Sequence, residues 1–329
     1  MKKINKTTNK SKQNNTLLLL AIFTITTSIF SALFKLYNPI SRANNTYTYI
    51  GHITHFTLNP LIAFPNTFSK NNLNNEENFN FIEFESILNQ LYKDNFILIN
   101  LNQITPKNIQ DNKIKLTLPQ NKKPLLLTFK NLDYSNKNIG FIDKYIVDRN
   151  KKISCYTKQE YNNERVSQTN DFIPLLENFI TNHPDFTYQN ARANLIINGS
   201  KGFLGYNIEH TFEHYKHELR ELSKVTKQLK KLGYHFIYGG YNTSKNHNDN
   251  TKTSIESDFS FYKKHLSKII EKNNYIYSSH NNIDIFKQIL TQNFITIIED
   301  DKFYTLKEDN LIIITAKPLT PKTLKQNLT

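Results

Sequence analysis

Lys123-Pro-Leu-Leu-Leu-Thr-Phe-Lys-Asn-Leu-Asp-Tyr134 is the stretch on which the fold of this chain turns. Leu125, Leu126 and Leu127 form a short run with no polar position, the pattern of a strand buried on both faces. Polar side chains begin where the run ends, and α/β folds carry their chemistry at the carboxyl ends of strands. Lys130-Asn131 is therefore the pair to interpret. Working outward, Tyr47 to Phe56 alternates as an opening strand, and Phe81, Phe84, Ile87, Leu88 and Leu91 repeat at helical spacing before a strand from Phe96. A helix from Phe172 has Asp171 as its candidate cap and Pro174 in its first turn. A strand at Ala193–Ile197 follows, then a helix from Glu209 to Leu232, stopped by Gly233. Strands at Tyr234–Tyr238, Asn274–Tyr277, Phe294–Ile298 and Leu311–Thr315 alternate with helices at Ile255–Ile270 and Ile283–Leu290. Such alternation indicates βα units around a mostly parallel sheet. The polar, tyrosine-rich Ser135–Thr169 segment reads as a hairpin excursion outside the core.

The amino-terminal end is organised differently. Five lysines and no acid occupy residues 1–15, followed by an uncharged, largely apolar run from Leu17 to Phe34. A spanning helix needs about 20 mostly apolar residues, whereas a secretory h-region needs only ~7–15. We expect a basic cytoplasmic tail (1–15), a transmembrane signal anchor (16–36) and an exported domain (37–329), giving a single-pass membrane protein whose carboxyl-terminal domain is extracellular. Ser41-Arg-Ala43 is a small-x-small sequence that leaves cleavage open. The formal charge is +14, of which the first fifteen residues supply five, leaving +9 on the rest. Its dispersal along the chain is what an A/T-rich codon bias, which also enriches asparagine and isoleucine, produces, and an anionic cell-wall polymer or lipid headgroup is the partner it would attract. A nucleic-acid partner is not expected, since charge stands without a motif and export argues against it. One cysteine, Cys155, excludes an intrachain disulfide and a cysteine-based zinc site.

The exported part resembles the polysaccharide deacetylase (NodB-homology) family, from about His55 to Lys317. The resemblance is carried by Ile82–Leu101, by Ile114–Thr128, by Phe172–Tyr188 and by Gly199-Ser-Lys-Gly-Phe-Leu-Gly-Tyr206. It implies an α/β fold, a distorted (β/α) barrel of roughly seven strands. It also implies three site motifs, from which this chain departs. The first has an Asp-Asp pair, base and metal ligand, where Lys130-Asn131 stands here. The second supplies two metal-binding histidines, where Gly239 and Thr243 stand. The third is an Ile-Tyr-Pro-Tyr-Gly-like segment, against Ile276-Tyr-Ser-Ser-His280. Such a family uses a divalent metal such as zinc to polarise an acetyl carbonyl and activate water, with a carboxylate taking the proton. The residues at Lys130, Asn131, Gly239 and Thr243 do not supply those groups, so no cofactor and no catalytic residue is expected.

Three functions follow from this degenerate pattern. The leading one is a membrane-anchored, extracellular, non-catalytic deacetylase-like protein that binds cell-wall or surface glycan in a groove formed by Asp133, Tyr134, Tyr206, Tyr241 and Tyr277. The others are an active metal-dependent carbohydrate deacetylase with a rebuilt site, and a surface structural or assembly protein. For a rebuilt site, Asp133 would share a face with Asn131 if the strand continued. His210, His214 and His217, with Glu213 beside them, would share a helical face, and His52, His55 and His280 would approach the barrel mouth. His235 reads as a core or edge histidine, and Asp300-Asp301 as a solvated turn. The Lys130 ammonium is expected to supply positive charge where the family places its metal.

Overall fold

Alternate residues of the described strands pack into two separate cores, and that division defines the architecture. The computed structural model describes residues 45–70, 76–134, 140–158, 164–197, 202–209, 211–240, 252–266, 269–270, 274–278, 283–289 and 294–326. The chain divides into Met1–Thr46 and Tyr47–Thr329, and the second unit holds the architecture described below. The expected tail and transmembrane anchor lie outside the described residues. Among the described residues, no helix is long and apolar enough to cross a membrane.

In chain order the elements are β1 (Thr46–Gly51), β2 (Thr54–Leu58), α1 (Pro65–Lys70), α2 (Phe81–Lys93), β3 (Phe96–Leu98), β4 (Ile109–Gln110), β5 (Lys113–Pro119) and β6 (Lys123–Phe129). Next come β7 (Lys144–Val147), β8 (Ile153–Lys158), β9 (Glu164–Ser167), α3 (Phe172–Asn182), β10 (Asn194–Ile197), α4 (Tyr215–Leu232) and β11 (His235–Tyr238). The remainder are α5 (Lys252–His265), β12 (Tyr275–Tyr277), α6 (Ile283–Ile289), β13 (Phe294–Glu299), β14 (Thr305–Glu308), β15 (Leu311–Pro318) and α7 (Pro321–Gln326).

Seven parallel strands close on themselves in the order β10-β11-β12-β13-β15-β2-β6, with β6 returning to β10. Closure is uneven, which is the distortion of this barrel. The start of β6 (Lys123 to Leu125) pairs with β3, and only its end (Thr128, Phe129) pairs with β10. Inward residues Leu126, Ile196, Ile237, Ile295, Ile297, Ile312 and Ile314 belong to one apolar cluster. Their neighbours Leu125, Leu127, Leu195, Phe236, Phe294, Ile298, Leu311 and Ile313 belong to the other, which packs the outside of the barrel against the helices. A two-residue period read on both faces is what a barrel wall requires. The amino-terminal end is plugged: Ile53, Leu101, Ile104, Ile114, Leu116 and Leu118 join the inner cluster from around the small β1-β5-β4 sheet.

Helix α2 begins with a full capping box, in which the Asn80 side chain takes the amides of Ile82 and Glu83 while Glu83 returns to the Asn80 amide. Two expectations need correction. The opening strand is two strands, β1 and β2, broken at His52-Ile53. The tyrosine-rich segment is no mere excursion: β7, β8 and β9 form an antiparallel sheet that buries Tyr145, Ile153 and Cys155 in the outer core. Its polar outer residues hid that inner face from a reading by composition.

Candidate functional site

The mouth of the barrel lies at the carboxyl ends of β2, β6, β10, β11, β12, β13 and β15. Strand β6 ends at Phe129, and Lys130 follows on the inward face set by Leu126 and Thr128. The Lys130 amide is fixed by the carbonyl of Leu58 at 2.9 Å. Its ammonium reaches across the mouth to Oε1 of Glu299, the last residue of β13, at 2.6 Å. The hydroxyl of Thr57, on β2, donates to the same carboxylate oxygen. Tyr277, at the end of β12, also lies within reach of Glu299; burial, then that negative charge, pushes its phenol above the usual range. The side chains of Lys130 and Glu299 are 17 % and 25 % exposed, so the pair is walled by protein yet open on one side.

One layer deeper the wall remains polar. His55 Nε2 lies 2.8 Å from the hydroxyl of Thr128, and Asn194 donates to that hydroxyl at 3.1 Å and to the carbonyl of Leu127 at 3.2 Å. His55, Thr128 and Asn194 are all fully buried. Among the described residues, His55 Nδ1 and Asn194 Oδ1 find no hydrogen-bond partner. Burial lowers the His55 pKa from 6.5 to about 3, so this imidazole is neutral. The layer separates the charged mouth from the isoleucines beneath.

The sequence-derived candidates fare differently. Asn131 does not face the barrel: it is exposed, has a left-handed backbone (φ 56°), and its amide donates to Asn59 at 2.8 Å. That turn ends the strand, so Asp133 does not continue the alternation from Asn131, contrary to expectation. Gly239 leaves β11 with its amide on the carbonyl of Ile197 at 2.9 Å. Thr243, Tyr241, His210 and His280 lie outside the described residues. Tyr134 and Tyr206, expected in a groove, are buried core side chains with their hydroxyls on Asp171 and on the carbonyl of Tyr145. Their apolar rings were worth more to the core than to a surface. Among the described residues of that set, Tyr277 is the tyrosine found at the mouth.

Helix α4 starts at Tyr215, later than expected, so His214 precedes the helix and does not share a helical face with His217. His214 is the capping residue, and His217 is the histidine of that set lying on the helix. Both instead edge an open depression of about 550 Å³ with Phe212 and Glu218. His52 precedes β2 and so lies at the plugged end, away from the mouth. His235 starts β11, with its ring edge-on to Tyr275 at 6.0 Å. Asp300 caps its own turn, accepting from the Lys302 amide at 2.9 Å. Among the described residues no group of three His, Cys, Asp or Glu side chains is poised to hold a metal.

Glu299 was missed by sequence reasoning, which stopped the strand at Ile298 and looked beyond it to Asp300. The available signal was the alternation of Ile295, Ile297 and Glu299, which puts a carboxylate on the inward face at the end of an apolar strand. Asp171 caps α3, as its place before Phe172 predicts. It also accepts from the Leu61 amide at 3.1 Å and from Tyr134 at 2.6 Å, tying the loops after β2 and β6 to the start of α3.

The described residues at the mouth do not by themselves fit a hydrolytic zinc. An ammonium held on Glu299 repels a divalent cation, the Asn131 amide is turned away, and Gly239 has no side chain. No family model and no curated protein matches this chain.

Proposed function

We propose that this chain is a membrane-anchored, extracellular, deacetylase-like barrel that binds glycan at its carboxyl-terminal mouth without hydrolysing it. The reading is carried by the Lys130–Glu299 ion pair. In a deacetylase of this kind, an Asp at the Lys130 position would be the base. Here a cation occupies that position and a carboxylate from the opposite wall neutralises it. The closed seven-stranded parallel barrel supports the family resemblance at the level of architecture alone, and fold does not imply function. The mouth keeps the groups that sugars use: an ammonium, a carboxylate, a hydroxyl and a half-buried phenol on fixed strand ends.

The test uses the full chain in detergent with N-acetylated chitooligosaccharides and fragments of bacterial cell wall. Ligand-observed NMR is expected to give saturable binding, and an enzymatic acetate assay with zinc or cobalt present is expected to stay at background. Acetate release that requires Lys130 or Glu299 would make the chain a working deacetylase. Absence of any glycan binding would favour the surface-assembly alternative.

A further inference from the structure

The chain is strongly basic, yet the described residues around the ends of β6 and β13 carry acid as well as base. The described residues that leave the mouth end of the strands set Lys130, Lys302 and Lys317 against four carboxylates, those of Asp133 and of the run Glu299-Asp300-Asp301. The inward-facing cation among them, Lys130, is paired with Glu299 and open to solvent on one side only. We infer that the mouth selects uncharged sugar residues and turns away anionic ones, and that Glu299 is the residue that sets this selectivity. The inference rests on the glycan reading and adds the chemical class of the ligand.

The physical reason is the geometry of the pair. An ammonium and a carboxylate at 2.6 Å act on a ligand as a dipole and not as a net charge. A uronate or phosphate approaching Lys130 meets Glu299 at close range, where like charges disfavour one another. To bind, it must displace a carboxylate that two donors, Lys130 and Thr57, already hold. The layer below offers no compensating charge, because His55 is buried and neutral. A neutral sugar hydroxyl meets no such penalty. It can donate to Glu299 while accepting from Lys130, whose ammonium has three hydrogens and spends one on Glu299. The half-buried ring of Tyr277 stands beside them.

The experiment titrates the full chain in detergent with fully N-acetylated chitotetraose, which is neutral, and with tetragalacturonate, which is not, at about 0.15 M salt. Wild type is expected to prefer chitotetraose by about tenfold or more, the scale of one unfavourable charge contact. Glu299→Gln is expected to lose that preference and to gain roughly tenfold in affinity for tetragalacturonate, a gain that raising the salt removes. Equal or tighter binding of tetragalacturonate by wild type overturns the inference and leaves the glycan reading standing. Binding of neither tetrasaccharide overturns both. A folded Glu299→Gln that keeps the wild-type ratio overturns the assignment to Glu299, and the wild-type ratio decides the selectivity itself even if that variant does not fold.

Discussion

Replacing His55 should change how stability depends on pH as well as its size. The imidazole is fully buried, with one nitrogen on Thr128 and the other without a partner among the described residues. Burial lowers its pKa from 6.5 to about 3. Between those values the unfolded chain binds a proton that the folded chain refuses, so stability falls as the pH is lowered through 6.5 towards 3. From about pH 7.5 to about pH 5 the loss is about 2 kcal/mol. Asp171 acts in the opposite sense. Burial, only partly offset by its hydrogen bonds from Tyr134, Leu61 and Phe172, raises its pKa from 3.8 to about 6. In that interval the folded chain binds the extra proton, and stability rises as the pH falls, by about 1.4 kcal/mol at about pH 5. The two contributions largely cancel in wild type, so single variants are needed to reveal them. Urea unfolding followed by circular dichroism, at about pH 7.5, 6 and 5, is compared between wild type, His55→Gln and Asp171→Asn. Taking each variant against wild type cancels the surface carboxylates that titrate in common. The advantage of wild type over His55→Gln should shrink by about 2 kcal/mol on acidification, and its position relative to Asp171→Asn should improve by about 1.4 kcal/mol. A wild-type advantage over His55→Gln that does not vary with pH would mean that the folded imidazole takes its proton as readily as the unfolded one. That result would refute the reasoning.

Three further outcomes are expected. Lys130→Met and Glu299→Gln, singly and together, should give a coupling of about 1–3 kcal/mol in denaturation, with Glu299→Gln alone the more damaging because it leaves an ammonium without its carboxylate; additive effects would mean that solvent screens the pair. Gly205→Ala should cost about 3 kcal/mol in the same assay, because a left-handed backbone (φ 86°) and the neighbouring backbone of Asp143 and Lys144 leave no room for a methyl group; a near-neutral result would show that the turn relaxes. The Cys155 thiol is buried, and burial pushes its pKa well up, so aromatic disulfide reagents should modify it only at the rate of unfolding; immediate labelling of folded protein would contradict its place in the core.

The barrel was legible where the sequence carries period. Leu125 to Leu127 reads as a two-faced strand because neighbouring residues must satisfy two different cores, and the same logic recovers the strands from Tyr234, Phe294 and Leu311. The small sheet β7-β8-β9 was illegible because one strand face is buried while the other is polar, so its composition looks like loop even though Tyr145 and Cys155 are enclosed. The site divides along the same line. Lys130 could be placed from its own strand alone. Its partner is 169 positions away, and no local pattern joins them. Only the closing of β13, β15, β2 and β6 into one wall brings the Glu299 carboxylate to the Lys130 ammonium. The expectation that Lys130 carries positive charge to the mouth was thus half of a statement. Because charge at a mouth is a sum over strand ends, a cation placed just after β6 becomes, once the barrel closes, one half of a neutral polar pair. The chemistry to be explained is therefore that of a dipole fixed between two walls, and it belongs to neither residue alone.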